Sequence, residues 1–172
     1  MRHLRDFAAT VLILAVAGVA AGLLWSYVAP RAPYVPTDGG LVLADASTQS
    51  LIAADGWFAV ITGGAGIVCG VAAFAIGRDR LTMVLSLAGG GLLAGFLARW
   101  IGGAVNLGTP SVSASGVTGH VVPGSLGLTA TGVIVSWPLL AVAVFGLMVG
   151  FGTYRDTPPP PPPLDGTYDL SR

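Results

Sequence analysis

Apolar residues run through this chain in four long stretches separated by shorter polar segments. The stretches are Phe7–Val28, Trp57–Ile76, Leu81–Val105 and Val133–Gly152, and none carries a charged residue at its middle. About 20 helical residues at 1.5 Å each cover the roughly 30 Å hydrocarbon core of a bilayer. The pattern predicts an all-α membrane protein, a four-helix transmembrane bundle with helices at about residues 7–28, 57–76, 81–105 and 133–152.

The first apolar stretch also has features of a secretory signal peptide. Arg2 and Arg5 precede it, and small residues occur at 17–21. However, it continues to Val28, well beyond the 7–15 apolar residues of a signal peptide. We therefore expect an uncleaved first helix.

Composition agrees with a membrane protein and also indicates the kind of genome that encodes it. Mean hydropathy is +0.80, 53% of residues are hydrophobic and 9% are charged, whereas soluble domains have about 25% charged residues. All eight basic residues are Arg and all eight acidic residues are Asp, a usage typical of a GC-rich genome. The formal charge of zero gives no reason to expect nucleic acid as a partner, and the lipid bilayer is the expected surrounding.

The arginines predict the orientation of the helices. If the four helices alternate in direction, six arginines fall on one side of the membrane: Arg2, Arg5, Arg78, Arg80, Arg155 and Arg172. Cytoplasmic segments are enriched in basic residues. The predicted location is therefore a bacterial plasma membrane, multi-pass, with cytoplasmic N and C termini (N-in/C-in) and two longer extracytoplasmic loops at 29–56 and 106–132.

Three regions follow from this layout. Residues 1–6 form a cytoplasmic N-terminus, residues 7–153 the transmembrane domain, and residues 154–172 a proline-rich cytoplasmic tail. Pro158–Pro163 predict a polyproline II segment about 19 Å long, and the residues after it are expected to be disordered. The segment is interpreted as a stiff spacer, with docking in an aromatic groove as the alternative.

The outer loops can hold short strands. Prolines 30, 33 and 36 favour an extended, polyproline-like exit from the first helix. Leu41–Leu43 is consistent with a strand, and residues 47–54 with a helix leading into the second span. The second loop is mildly β-prone around Ser111–Ser113 and Val117–Val122. The two loops are therefore candidates for a small cap over the bundle.

Each helix has one tryptophan near its outer end, and these four are Trp25, Trp57, Trp100 and Trp137. Indole rings favour the headgroup region, where the ring is half-buried and the N–H is hydrated. We interpret them as interface anchors. The alternative is an aromatic-lined site at the outer surface.

Each helix also carries two glycines four residues apart. The pairs are Gly18/Gly22, Gly66/Gly70, Gly91/Gly95 and Gly146/Gly150. Such pairs let helix backbones approach closely in lipid, so we predict that they are helix-packing positions. The second and fourth helices both have Trp followed by Gly nine and thirteen residues later, which leaves an internal duplication open. The triplet Gly89–Gly91 is interpreted as a further packing position, with a transporter-like hinge as the alternative.

One charge lies within the spans, near the outer end of the third helix. Arg99 is at the same predicted depth as Asp55, which precedes the second apolar stretch. We predict an interfacial ion pair between them. A role of Arg99 in binding an anionic ligand is the alternative.

Little else in the sequence carries chemistry. Cys69 is the only cysteine, and His120 has no nearby Cys, His or Asp at metal-ligand spacing. There is no phosphate loop, nucleophile elbow or metalloprotease motif. We therefore predict no enzyme activity, no catalytic residue, no metal site and no cofactor.

Several short motifs resemble a known family. They are Leu24-Trp25 followed by Ala29-Pro30, Ala54-Asp55-Gly56-Trp57-Phe58, Ala98-Arg99-Trp100-Ile101-Gly102, and Trp137-Pro138. Over about Leu23 to Leu140 the chain resembles a family of small, uncharacterised four-helix actinobacterial integral membrane proteins. The resemblance implies an actinobacterial plasma membrane and supplies no activity, so no functional residue is transferred.

Two functional hypotheses remain. The first is a non-enzymatic accessory or structural component of a membrane complex or homo-oligomer, with other membrane protein subunits or itself as partner. It is favoured by the glycine-rich helices and the scarcity of polar groups in the spans. The alternative is a small transporter or channel subunit, with Gly89–Gly91 as the mobile point and Arg99 at the mouth.

Overall fold

The computed structural model describes residues 2–37, 40–45, 49–77, 79–105, 122–124 and 126–155 of the 172-residue chain. Four long helices dominate it: α1 Arg2–Val28, α2 Ser50–Ile76, α3 Arg80–Ala104 and α4 Ser136–Arg155, the last preceded by a 3₁₀ turn at Thr131–Val135. All four are long and apolar enough to cross a membrane. The prediction of four such helices is confirmed, and the chain is a multi-pass membrane protein.

Two helices begin earlier than the apolar pattern predicts. α1 begins at Arg2 rather than Phe7. α2 begins at Ser50, so the helix predicted at residues 47–54 is present from Ser50 and is continuous with the span from Trp57, while residues 46–48 lie outside the described residues. Hydropathy marks only the part of a helix that suits the hydrocarbon core. Polar first turns extend beyond it, since continuing the helix keeps backbone N–H and C=O groups paired.

Helices α1 and α3 form the most extensive contact in the bundle. A Cβ atom placed on Gly18 would lie 2.5 Å from the Ala94 carbonyl oxygen, and one on Gly22 would lie 2.5 Å from that of Ala98. The two backbones can therefore approach this closely only with glycine at both α1 positions. Because the contact positions rise together along both helices, α1 and α3 run parallel.

Helices α2 and α4 form a second parallel pair in the same way. A Cβ atom on Gly66 would lie 2.5 Å from the Trp137 carbonyl oxygen, and one on Gly70 would lie 2.6 Å from that of Ala141. Glycine on one helix thus faces backbone on the other in both pairs. Each pair joins the corresponding helices of the two helical hairpins, α1–α2 and α3–α4.

The two parallel pairs meet mainly where α3 contacts α4. Gly91 lies against Pro138, and Gly95 lies against Ile134 in the turn that precedes α4. Here the contact positions rise along α3 while they fall towards the start of α4, so α3 and α4 are antiparallel. Gly91 and Gly95 thus join the two pairs into one bundle.

The two longer connections meet in a small antiparallel sheet. Its strands are β1 Pro33–Thr37, β2 Gly40–Leu43 and β3 Val122–Pro123, in the order β2–β1–β3. Tyr34 of β1 pairs with Leu43 on one side and Val122 on the other. Two of the prolines expected in a polyproline-like exit therefore lie in a paired strand. Of the strand segments predicted in the second loop, Ser111–Ser113 and residues 117–121 lie outside the described residues, as does the proline-rich tail from residue 156.

The core lies between the four helices and is closed at one end by tryptophan. Its most buried large side chains are Leu14, Trp25, Phe58, Leu87, Ile134, Trp137 and Phe145. The outward faces are also apolar, with exposed residues such as Ile13, Val60, Leu139 and Phe151. Apolar side chains on both faces are what a lipid-embedded bundle requires.

Candidate functional site

The four tryptophans predicted as interface anchors divide into two groups. Trp57 and Trp100 are 45% and 70% exposed, as a ring at the membrane surface would be. Trp25 and Trp137 are 1% and 0% exposed and belong to the core, which differs from the expectation. Position near a helix end sets depth in the membrane, but the face of the helix decides whether the ring points to lipid or to another helix.

Trp25 joins α1 to α2 at this end of the bundle. Its indole Nε1 donates a hydrogen bond of 2.8 Å to the carbonyl oxygen of Ala54. Its ring meets that of Phe58 edge to face, with centroids 5.1 Å apart and planes at 80°. The spacing of Gly18, Gly22 and Trp25 already places the three on one helix face, so the burial of Trp25 had a signal in the sequence.

Trp137 is buried without a comparable polar contact. Its Nε1 has no hydrogen-bond partner in the described part of the structure. The carbonyl oxygen of the same residue faces Gly66 of α2. Trp137 fills the core mainly through its ring, with the Cys69 thiol of α2 next to its indole but without a full hydrogen bond.

The structure does not bring together the ion pair predicted between Arg99 and Asp55. The Asp55 carboxylate, 8% exposed, accepts hydrogen bonds from the backbone N–H groups of Thr129, at 3.1 Å, and Ala130, at 2.8 Å. Within the described residues no salt bridge joins it to Arg99. The physical reason is helix order: α2 packs on α4 and α3 on α1, so equal depth on α2 and α3 does not bring side chains together.

Arg99 instead borders a recess between the end of α3 and the segment that leads to α4. The recess has a volume of about 610 Å³, within the range of small-molecule sites. It is lined by Trp25, Phe96, Arg99, Trp100, Gly103, Ala104 and residues 126–128. We call it the outer recess. It places one cation among aromatic and apolar groups.

Two contacts hold the far wall of the outer recess in place. Leu126 is buried in the core, and its carbonyl oxygen lies 3.4 Å from where a Cβ on Gly103 would be. The Asp55 carboxylate fixes the backbone of residues 129–130 just beyond it. At the near side, the Ser26 hydroxyl donates to the Val105 carbonyl at the end of α3. The backbone on both sides of the recess is therefore held by contacts within the chain.

The fourth glycine pair lies apart from the other three. A Cβ atom on Gly146 or Gly150 would meet no atom within 4 Å. Both glycines are exposed and border a shallow groove with Val142, Ala143, Leu147 and Phe151. We call this surface the α4 groove. Among the eight predicted packing glycines, six face a neighbouring helix or the turn before α4, and Gly146 and Gly150 do not.

Two other buried hydroxyl groups, those of Thr62 and Ser86, are hydrogen-bonded within the bundle. The Thr62 hydroxyl donates to the Phe58 carbonyl at 2.7 Å and lies 2.7 Å from the Ser136 hydroxyl. The Ser86 hydroxyl donates to the Thr82 carbonyl. Among the described residues no three His, Cys, Asp or Glu side chains could hold a metal ion, and His120 lies outside them.

No protein-family model, curated protein or solved structure matches this chain. Its function is therefore inferred from its own residues.

Proposed function

We propose that this chain is a non-enzymatic accessory or structural component of a membrane complex or of a homo-oligomer. The single observation that carries the proposal is the α4 groove. Glycines with the same spacing in α1 and α2 hold helix backbones together inside the chain, whereas Gly146 and Gly150 have no neighbour. The partner is a helix of another membrane subunit or of a second copy.

The physical chemistry of helix contact in lipid supports this role. Lipid tails solvate apolar side chains as well as a neighbouring helix does, so association depends on close backbone packing and dispersion. Two glycines four residues apart make a flat groove that lets a second backbone approach. A second copy inserted in the same direction presents its own α4 parallel to the first, the relation that α1–α3 and α2–α4 already have within the chain.

The proposed location is a bacterial plasma membrane with both termini in the cytoplasm. It is supported by the arginines, of which six fall on one side if the helices alternate. The resemblance to small actinobacterial membrane proteins supports the same compartment. In this orientation the outer recess faces the extracytoplasmic leaflet.

A small transporter or channel subunit is the alternative, and the geometry supports it less. The transport hypothesis depends on a hinge at Gly89–Gly91, but α3 continues unbroken from Arg80 to Ala104. Gly90 lies against Leu14 of α1, and Gly91 lies against Pro138 of α4. These contacts favour packing over a mobile point.

The test is to purify the protein from its native membrane in mild detergent and identify stoichiometric partners by mass spectrometry. We expect a defined complex or homo-oligomer. The double variant Gly146→Ile/Gly150→Ile fills the α4 groove and should abolish it. The matched control, Gly64→Ile/Gly89→Ile, changes two other exposed glycines with no atom within 4 Å of a Cβ and should leave the complex intact.

Two outcomes count against the proposal. A stable wild-type monomer without partners would contradict it directly. Equal loss of the complex in both double variants would show that glycine replacement acts through the helices themselves rather than through the α4 groove. Flux in reconstituted liposomes would then favour the transport alternative.

A further inference from the structure

The positive charge of the outer recess belongs to Arg99, near the end of α3. The only other charged residue of α3 is Arg80, its first residue. Arg99 lies 19 residues after Arg80, or about 28 Å along a helix axis. The two arginines of α3 are therefore separated by about the thickness of the hydrocarbon core. Arg99 lies at the depth of lipid headgroups.

The guanidinium of Arg99 has no acidic partner among the described residues. The Asp55 carboxylate, predicted as its partner, accepts two backbone hydrogen bonds instead. An arginine beside apolar groups is stabilised by an anion, and its planar fork matches two oxygens of a phosphate group. The charge of Arg99 is thus available to an anion that is not part of this chain.

The surroundings of Arg99 determine what kind of anion fits. Arg99 shares one side of α3 with three other residues that line the recess. These are Phe96, three residues before it, Trp100, directly after it, and Gly103, four residues after it. Phe96 and Trp100 are exposed on the surface that faces lipid. Gly103 and Leu128 also line the recess, and neither brings a polar side chain to it.

We propose that the outer recess binds one anionic phospholipid, with its phosphate on Arg99 and an acyl chain along Phe96 and Trp100. A phosphate group is the shared chemistry of a lipid headgroup and of free phosphate. The apolar border favours the lipid, because it buries acyl surface that free phosphate does not have. This site is separate from the α4 groove and holds whether or not that groove has a partner.

The first experiment uses the wild-type protein in mild detergent and measures its thermal unfolding midpoint. Three probes are compared: phosphatidylglycerol, which is anionic, phosphatidylcholine, which is zwitterionic, and inorganic phosphate. We expect phosphatidylglycerol alone to raise the midpoint, because a ligand that binds only the folded state stabilises it. Native mass spectrometry should show one retained phosphatidylglycerol per chain.

The second experiment locates the site. Arg99→Gln keeps a polar side chain and removes the charge, and it should weaken phosphatidylglycerol binding at least tenfold. Arg80→Gln removes a charge from the other end of the same helix and should leave the binding unchanged. If Arg99→Gln does not fold, the wild-type comparison still decides whether the protein binds an anionic phospholipid.

Several results would overturn it. Equal stabilisation by phosphatidylglycerol and phosphatidylcholine would show that Arg99 only extends to the membrane surface, as isolated arginines do. The same rise with inorganic phosphate alone would show that the ligand is a free anion and not a lipid. Unchanged phosphatidylglycerol binding in Arg99→Gln would place the lipid elsewhere.

Discussion

Two buried tryptophans differ in one hydrogen bond, which gives a prediction at the scale of the residue. Trp25 donates to the Ala54 carbonyl, whereas the Nε1 of Trp137 has no partner among the described residues. Trp25→Phe and Trp137→Phe remove similar ring volume. We expect Trp25→Phe to cost about 1 kcal/mol more free energy of unfolding, the usual net value of a buried hydrogen bond. Unfolding by denaturing detergent in mixed micelles would measure both.

The contribution of the indole N–H is isolated by comparing the two variants. Equal costs would mean that packing alone decides the stability of both sites and that the Trp25 hydrogen bond adds nothing. A larger cost at Trp137 would mean that its N–H has a partner, such as the neighbouring Cys69 thiol or a buried water.

Asp55 shows why the sequence does not reveal a pairing between side chains. Its depth follows from its position before an apolar run, and so does the depth of Arg99. The bonds that it forms, to the backbone of Thr129 and Ala130, join residues 74 and 75 positions apart. Backbone donors have no sequence signature, because every residue except proline has one. A carboxylate near a membrane surface is therefore located by sequence, but its partner is not.

At the scale of the element, the glycine pairs mark helix faces without saying what covers them. Gly66/Gly70 and Gly146/Gly150 follow a tryptophan at the same spacing. The first pair faces α4 and the second pair faces outward. Spacing sets which residues share a face, whereas the neighbour depends on the order of helices around the bundle. That order is a property of the tertiary fold that periodicity within one helix does not contain.

The same contrast gives a prediction for α2, where Gly64 and Gly66 lie on different faces. A Cβ on Gly66 would be 2.5 Å from the Trp137 carbonyl, and one on Gly64 would meet nothing within 4 Å. Gly66→Val should separate α2 from α4 and cost more than about 2 kcal/mol, because the obstacle is backbone and cannot move aside. Gly64→Val should cost less than about 1 kcal/mol. Unfolding of both variants in mixed micelles measures the difference.

That comparison would contradict the described packing if the two variants were equally stable. A loss confined to Gly64→Val would place a partner on the opposite face of α2. Because both substitutions put the same side chain two residues apart in one helix, the intrinsic helix propensity of valine cancels between them.

At the scale of the whole molecule, the four spans were predictable because membrane thickness imposes a length and a composition on each helix. The polar first turn of α1 was not predicted, since hydropathy does not report on polar helical turns, whereas the helical segment before Trp57 was predicted. The alternating direction of the helices was predicted, but not that α1 packs on α3 and α2 on α4. An aromatic-lined outer site and an anion-binding Arg99 were alternatives in the sequence, but it did not show that Trp25, Arg99 and residues 126–128 line one recess.

The last prediction concerns the orientation of the molecule in the membrane, which is inferred from the distribution of its arginines. With Cys69 replaced by alanine, Gln49→Cys places a lone thiol at the tryptophan-bearing end, and Leu4→Cys places one at the other end. Both positions are exposed. In intact cells, a membrane-impermeant maleimide should label Gln49→Cys and spare Leu4→Cys, because the arginine-rich end is held in the cytoplasm. Permeabilised cells should label both, which controls for thiol reactivity. The reverse pattern in intact cells would place the outer recess and Arg99 at the cytoplasmic leaflet, and labelling of both thiols would contradict a single orientation.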